Sequence, residues 1–417
     1  MKSFAALLLA LLAAISPAAA EQDAPLRVGV SGDYPPFSFA PGEDPAEIQG
    51  FDLAVARAYT AERQRELEIV RFRWPELLSD LAADRFDVAM SGITIRPERS
   101  VAGIFTVPVM ASGAVVLVRE RAGFTDLASL NRPAARIAVN QGGHLERVTR
   151  AHFPRAAVIA IPANRAVREA LLSKKADAVV SDTLEAPIWL EGSEGVMQLG
   201  PFTSDLKAYL VHPDQSELAA DLNAWLMARE SDDTLANLRR RYLGYGDSPS
   251  TAEPVCALVA AVGERLDLMP LVAEAKRATG TPVTVPGREA RVIDAALSAT
   301  RKAAREAQLT PISERTVRSF FELQIAAAKE IQNATLAGPA GEAPPADLDT
   351  ALRPALVRIG NRIAWLLQRL PSRIDRGHLE ASARRRLRTP GLSDSARDAL
   401  VEAILALSEA RPDEPGK

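Results

Sequence analysis

Cysteine, histidine and long apolar runs are scarce in this chain of 417 residues. Its single cysteine, Cys256, excludes a disulfide within the chain. The 4 histidines are scattered and no cysteine clusters accompany them, so the sequence predicts no metal site. A formal net charge of −3 supplies no overall cationic field, which argues against nucleic acid as a partner.

One short apolar run stands at the N-terminus. Lys2 gives it a positive start, residues 4–15 form the apolar centre, and three alanines at 18–20 precede the cleavage position. This pattern predicts a signal peptide over residues 1–20. The run is too short to span a bilayer and no later segment reaches that length. We therefore expect a periplasmic protein without membrane attachment after cleavage.

The composition changes along the chain. Up to about residue 245, short β-rich runs alternate with helical periods, which predicts an α/β domain with a largely parallel sheet. A stretch rich in proline, serine and glycine follows, and beyond it the helical period predicts an all-helical bundle. The predicted divisions are a signal peptide at 1–20, the α/β domain at 21–247, a linker at 248–254, the helical domain at 255–385 and a helical tail at 386–417.

Two acids three residues apart, Asp182 and Glu185, mark the most informative stretch of the α/β domain. Residues 178–181 indicate a buried strand, and a helix is predicted to open at Thr183. A carboxylate on such a strand-to-helix turn points into the crevice outside the strand ends, where α/β proteins bind ligands. The same spacing fits a capping box, in which both acids only satisfy helix-end amides. The local pattern leaves the two interpretations open.

Four motifs resemble the polar amino-acid family of type II periplasmic solute-binding proteins. They are Gly-Asp-Tyr-Pro-Pro-Phe at 32–37, Gly-Phe-Asp-Leu at 50–53, Ser-Gly-Ile-Thr-Ile-Arg-Pro-Glu-Arg at 91–99 and Val-Ser-Asp-Thr at 180–183. The resemblance implies two lobes joined by crossing strands, with the ligand between them.

The same resemblance implies the roles of individual residues. Arg99 would pair with a ligand carboxylate, to which a guanidinium presents a matching planar fork, although a solvated loop arginine is the alternative. Asp182 would face an ammonium group. The remaining substrate-binding residues expected in this domain are Tyr34, Trp74, Ser91, Gly92, Thr94, Gly143 and Lys207.

Within this fold the chain is more similar to exported cyclohexadienyl dehydratase, in the segments 32–38, 85–93 and 182–186. That family removes the ring hydroxyl and a carboxylate from prephenate or arogenate. The resemblance implies that Glu185 is the general acid, with a pKa raised by burial between closed lobes. Leu145 stands where the family has an active-site asparagine, and the neighbouring His144 is either the replacement donor or a surface residue at a helix start.

The helical half resembles the secreted all-helical class of chorismate mutase. Arg265 and Lys276 are eleven residues apart, about three helical turns, so both project from one face. The motif Pro-Val-x-x-Pro-Gly-Arg-Glu at 282–289 and the later Gly-Asn-Arg at 360–362 extend the resemblance. It implies that three arginines clamp the substrate carboxylates, and that a lysine and a glutamine donate to the ether oxygen. The arginines are Arg265, Arg288 and Arg362, and the two donors are Lys276 and Gln332.

Together the two halves predict a bifunctional enzyme of phenylalanine synthesis, in which one domain makes the prephenate that the other consumes. Chorismate, prephenate and arogenate are the expected small-molecule partners, no cofactor is implied, and a homodimer is expected from the mutase class. The alternative is an amino-acid-binding protein for transport or sensing, fused to an active mutase. Leu145 favours that alternative and Glu185 opposes it.

Overall fold

The computed structural model describes residues 24–40, 47–244, 254–341 and 346–411. Within these ranges an α/β part with two large sheets is followed by a bundle of helices, which confirms the predicted fold class. The predicted signal peptide and nearly all of the predicted linker lie outside the described residues. No helix in the described ranges combines the length and apolar composition that crossing a membrane requires.

The α/β part contains fourteen strands and eight α-helices in its described residues. In chain order the strands are β1 Leu26–Val30, β2 Asp33–Tyr34, β3 Ser38–Phe39, β4 Leu67–Arg71, β5 Val88–Ala89, β6 Ile104–Phe105, β7 Met110–Ser112, β8 Ala114–Arg119, β9 Arg136–Asn140, β10 Ala157–Ile161, β11 Ala178–Asp182, β12 Val196–Leu199, β13 Asp205–Lys207 and β14 Leu210–Val211. The helices are α1 Phe51–Glu62, α2 Leu77–Ala82, α3 Pro97–Ala102, α4 His144–His152, α5 Asn164–Leu172, α6 Ala186–Leu190, α7 Ser216–Ser231 and α8 Thr234–Leu243.

Each lobe is built on a five-stranded sheet that is largely parallel, as predicted. The first has the order β4-β1-β5-β14-β6 and only β14 runs against the others. The second has the order β10-β9-β11-β8-β12 and only β8 is reversed. Central strands such as β11 are buried along their whole length, which is why residues 178–181 form a continuous short run without polar alternation.

The lobes are joined by the antiparallel pair of β7 and β13. The sequence pattern of residues 207–211 favours one uninterrupted strand, but the chain forms β13 and β14 in two different sheets. This break brings Lys207 to the junction between the lobes, where residues from both can reach it.

The helical part contains seven α-helices in its described residues. They are α9 Pro254–Asp267, α10 Met269–Thr279, α11 Arg288–Glu306, α12 Glu314–Ala337, α13 Arg353–Leu367, α14 Arg376–Arg386 and α15 Asp394–Glu409. The pattern of residues 255–278 has one helical period, but the structure divides it at Leu268, where Pro270 lacks the amide that a continuous helix needs. The last helix packs against α12, so the predicted tail is part of the bundle.

The bundle packs directly on the first lobe through α3. Arg358 of α13 donates to the backbone oxygens of Ser100 at 3.2 Å and Val101 at 2.8 Å. The Ser100 hydroxyl also donates to Glu264 of α9, and Glu264 pairs with Arg362 of α13. The helix that carries Arg99 is therefore fixed to two helices of the second domain.

Candidate active sites

The first candidate site is the cleft between the two lobes, a cavity of about 40 Å³. Both lobes and the crossing strands contribute to its walls. Its lining consists of Tyr34, Trp74, Gly92, Thr94, Arg99, Ser112, Asn140, Gly143, His144, Leu145, Asn164, Asp182, Asp205 and Lys207. Eight of the residues predicted from the sequence are thus brought together, whereas Ser91 and Glu185 do not line the cavity.

Asp182 lies at the end of β11 in a network that ties the lobes together. One of its oxygens accepts hydrogen bonds from the Tyr34 hydroxyl and lies 3.1 Å from Lys207 Nζ. Lys207 also donates to the Tyr34 hydroxyl at 2.9 Å and to the carbonyl oxygen of Gly92 at 3.2 Å. Burial would raise the Asp182 pKa, but the neighbouring ammonium of Lys207 and the hydrogen bonds leave it below its usual range. The carboxylate therefore stays charged in the cleft.

Gly92 permits this close approach. Its φ of +59° belongs to the left-handed region, and a Cβ atom there would lie 2.8 Å from the Tyr34 ring and 2.9 Å from the Phe37 ring. A larger residue would displace the aromatic wall on which Lys207 rests.

Glu185 is fully buried behind the turn that follows β11. One carboxyl oxygen accepts from Asn164 Nδ2 at 2.5 Å and the other from the Ser181 hydroxyl at 2.7 Å. Burial, with the nearby Asp182 charge, raises the Glu185 pKa well above its usual value. The raised pKa favours the protonated form of this side chain, and Asn164 extends from it to the cavity wall.

Only one of the two contacts of the predicted capping box forms, the one made by Asp182. The backbone amides of Leu184 and Glu185 both donate to Asp182 Oδ1, at 2.8 Å and 3.0 Å. The Glu185 side chain makes no reciprocal cap and turns to Asn164 instead. Because Asp182 holds these amides in a turn, the helix begins at Ala186, three residues later than predicted.

Arg99 is 2% exposed and lines the cleft from α3, so it is not a solvated loop residue. Its Nη1 donates to the Thr94 carbonyl oxygen at 2.9 Å, while its Nε has no hydrogen-bond partner among the described residues. Burial, with the nearby Arg96 charge, lowers the Arg99 pKa to about 9. An incompletely satisfied buried guanidinium is a suitable partner for a carboxylate.

The predicted role of Ser91 as a substrate-binding residue does not fit the position of its side chain. Its hydroxyl lies 2.9 Å from that of Ser31 and 2.5 Å from that of Ser38, inside the first lobe. Three short hydroxyl side chains at the ends of adjacent segments satisfy one another there. The side chain of Ser91 therefore supports the loop and is not a ligand donor in this structure.

His144 is a cleft residue, which excludes the surface interpretation. Its side chain is 9% exposed, and Nε2 lies 3.0 Å from Asp205 Oδ1. Burial lowers the His144 pKa although Asp205 opposes the shift. Sequence reasoning missed Asn164 and Asp205, whose positions at the start of α5 and in β13 carry no distinctive motif.

The second candidate site is a cavity of about 320 Å³ in the helical bundle. Its walls come from α9 to α13 and from the loop between α10 and α11. Four of the predicted mutase residues line it, namely Arg265, Lys276, Arg288 and Gln332. Three further cations line it as well, namely Arg291, Lys329 and Arg353.

Arg265 is the most distinctive of these cations because it is 7% exposed and Nη1 has no hydrogen-bond partner in the described part of the chain. Burial lowers its pKa to about 10, so it remains charged at neutral pH. Lys276 donates to the Val283 carbonyl oxygen at 2.9 Å. Burial, with the nearby Arg288 charge, lowers the Lys276 pKa. These groups form a cationic wall without an equal number of carboxylates.

Gln332 lies on α12 with a buried amide. Its Nε2 donates to the Ala328 carbonyl oxygen at 3.1 Å and lies 3.5 Å from Met269 Sδ. Its Oε1 has no partner within the described ranges. Both Nε2 hydrogens therefore have an acceptor in this structure, but the thioether sulfur of Met269 is a weak one that a substrate oxygen can replace.

The structure does not bring Arg362 to this cavity. Arg362 is 3% exposed, pairs with Glu264 and lies over the Phe105 ring of the first lobe, 5.8 Å from its centroid. Arg353 lies nine residues earlier on α13, about two and a half turns, so the two arginines point to opposite faces. The cavity-facing residues of α13 are Arg353, Leu356, Val357, Gly360 and Asn361, a helical spacing that could have identified Arg353 from the sequence.

Comparison with known proteins finds two family matches. Residues 26–245 match the bacterial extracellular solute-binding proteins, family 3, and residues 256–333 match chorismate mutase type II. A cyclohexadienyl dehydratase of Pseudomonas aeruginosa is 32% identical over 225 residues, which cover 53% of this chain and 83% of that protein. An arginine-binding protein of an Escherichia coli ABC transporter is 28% identical over 220 residues, 50% of this chain and 86% of that protein.

Among solved structures, an ancestral amino acid-binding protein described as a precursor of cyclohexadienyl dehydratase is 29% identical. The match covers 52% of this chain and 95% of the ancestral protein's chain, with a TM-score of 0.49.

Proposed function

Because the chain belongs to family 3 of the bacterial extracellular solute-binding proteins and carries a type II chorismate mutase domain, we propose that it is a bifunctional enzyme of phenylalanine synthesis. The helical domain converts chorismate to prephenate. The two-lobed domain converts prephenate or arogenate to phenylpyruvate or phenylalanine. The mutase domain and the relationship to cyclohexadienyl dehydratase support both activities. Export to the periplasm, and pairing of two chains, belong to the same proposal.

The mutase reaction needs a shaped cationic cavity and no proton transfer. One ether C–O bond breaks while one C–C bond forms, and negative charge develops on the ether oxygen. Arg265 and Arg288 bind the two carboxylates of chorismate and hold its compact conformer, and Arg353 takes the role that Arg362 cannot fill. Lys276 and Gln332 donate hydrogen bonds to the ether oxygen as its charge develops.

The dehydratase reaction needs a buried acid. Prephenate gains one proton and yields phenylpyruvate, water and carbon dioxide. The C–C bond between the ring and its carboxylate breaks, and the electrons of that bond complete the aromatic ring. Glu185 supplies the proton to the departing hydroxyl after a small movement toward the cavity. Arg99 and Lys207 hold the carboxylates. The observation that carries this proposal is the full burial of Glu185, because burial raises its pKa and favours the protonated form that can donate.

The alternative retains the mutase and assigns amino-acid binding to the two lobes. It is favoured by the charged Asp182 and buried Arg99 in one cleft, a pair suited to the ammonium and carboxylate of an amino acid. Relatives in family 3 include arginine-binding proteins, such as the one from Escherichia coli. Leu145 in the cleft wall is neutral for binding but removes a donor that the dehydratase family uses.

Turnover of purified protein with prephenate, followed by phenylpyruvate absorbance, separates the two. We expect wild-type turnover, a fall of about 10²- to 10⁴-fold in kcat for Glu185→Gln, and unchanged chorismate consumption in that variant. Lys276→Ala is the reciprocal control and should lose only the mutase reaction. Negligible turnover by both wild type and Glu185→Gln, together with tight amino-acid binding, would overturn the dehydratase assignment.

A further inference from the structure

A third cavity, of about 250 Å³, lies between the two domains. Lobe residues, the crossing strand and the mutase helices all contribute to its walls, so it exists only because both domains are in one chain. Its charged lining consists of Arg96, Arg147, Arg362, Arg385, Arg386, Asp205, Glu264 and Asp267.

The interdomain cavity directly adjoins the dehydratase cleft. His144 and Asp205 line both cavities, and their side chains approach each other to 3.0 Å. Asp205 also accepts a hydrogen bond from the Thr203 hydroxyl at 2.6 Å. One pair of side chains is therefore shared by the two spaces.

The cavity carries excess positive charge. Its five arginines face only three carboxylates, and one of those, Glu264, is already paired with Arg362. Arg96 and Arg147 lie 3.8 Å from the same carboxylate, Glu98, so two cations share a single weak partner.

Arg386 adds to this excess because, among the described residues, it donates to uncharged groups only, the Ser204 carbonyl oxygen at 3.1 Å and the Ser204 hydroxyl at 2.9 Å. A concave space with low-dielectric walls and one excess sign of charge raises the local concentration of the opposite ion.

We propose that the interdomain cavity is a transit site for a small dicarboxylate anion on its way into the dehydratase cleft, with the His144–Asp205 pair as the partition. The inference rests on the proposed dehydratase function and adds the path by which its substrate arrives. The dianion comes either from solution or from the mutase domain of the same chain. The same arginines attract the dianion from either source.

Arg147 is the residue that tests the proposal. Its side chain is 53% exposed and its only ion pair among the described residues is the weak one with Glu98, so a charge reversal leaves the core untouched. Arg150 lies on the same helix with the same 53% exposure, but it pairs with Glu146 and does not line the cavity. Arg147→Glu and Arg150→Glu change the net charge equally and form a matched pair.

In the first arm, added prephenate is the substrate and kcat/KM is measured at low and high salt. We expect Arg147→Glu to lower kcat/KM about tenfold at low salt with kcat unchanged, and to flatten the salt dependence. Arg150→Glu should stay within about twofold of wild type. In the second arm, chorismate is the substrate and free prephenate is measured during turnover. A larger pool of free prephenate in Arg147→Glu, with an unchanged mutase rate, would extend the site to the chain's own product.

An equal loss in both variants, or no loss in Arg147→Glu while the wild type turns over prephenate, overturns the transit site and leaves the proposed function standing. Absence of turnover in the wild type overturns the proposed function and this inference with it.

Discussion

Replacing Arg362 by methionine should destabilise the junction between the domains and spare the mutase reaction. The resemblance to chorismate mutases assigns this arginine to the substrate, whereas the structure pairs it with Glu264 beneath α3. The two assignments predict opposite results, so the substitution separates them.

The expected loss of stability follows from burial. Arg362 and Glu264 have side chains 3% and 5% exposed, and removing one partner of such a pair costs about 3–5 kcal/mol. For a domain of this size that lowers the melting temperature by about 6–20 °C. Burial already raises the Glu264 pKa although Arg362 opposes it, and without Arg362 the pKa rises further. The folded variant then binds more protons than the unfolded chain, so its stability falls as pH rises through the folded pKa.

Thermal unfolding at several pH values and chorismate consumption are the two measurements. Arg362→Met should keep kcat/KM for chorismate within about threefold of wild type. The double variant Arg362→Met with Glu264→Gln should recover part of the lost stability, because no unpaired charge remains buried.

Arg353→Met is the opposing control. It removes a charged hydrogen bond to substrate worth about 1.5–3 kcal/mol, which is about 10- to 100-fold in kcat/KM. An unchanged melting temperature together with a 100-fold loss of mutase activity in Arg362→Met would refute the assignment.

Three further outcomes are expected. Dehydratase activity should be present at neutral pH and fall as pH rises through the elevated pKa of Glu185, because only its protonated form can donate; a pH–rate profile of phenylpyruvate formation that rises toward alkaline pH would contradict this. Gln332→Glu should make the mutase pH-dependent, with chorismate consumption lost as pH rises, because an ionised carboxylate cannot donate to the ether oxygen; a profile as flat as that of wild type would exclude the contact. Arg265→Met should raise the free energy of unfolding by about 1–4 kcal/mol, because it removes a buried and incompletely partnered cation, and it should lower kcat/KM for chorismate at least tenfold. Denaturant unfolding measures the first effect and the mutase assay measures the second. A variant that is less stable than wild type but still active would contradict both expectations.

Much of the molecule could be predicted from local pattern. The parallel strands and the long helices follow from apolar periodicity, and the change of period near residue 245 marks the change of domain. Helical spacing predicts Arg265 and Lys276 on one face of a single helix; both line the mutase cavity, but from two helices that are divided at Leu268. Such features depend on residues close in sequence, where the geometry of the helix or strand fixes their relation.

The wrong predictions concern side chains whose partners come from distant parts of the chain. Ser91 lies in a recognisable motif, but Ser31 and Ser38 occupy its hydroxyl. Asn164 carries no motif, yet folding sets its amide against Glu185.

Arg362 shows the same limit most clearly. It lies on α13, but the direction its side chain takes depends on Glu264 of α9 and on Phe105 of the lobe packed beside the bundle.

The sequence by itself determined the two folds, their order and the chemical types of the groups at each site, because periodicity and short-range spacing are properties of the chain. Only the tertiary structure decided which carboxyl group has a raised pKa, which arginine faces a cavity and which one joins the domains. Those properties depend on burial and on partners up to hundreds of positions away, and no local pattern encodes the dielectric surroundings of a side chain.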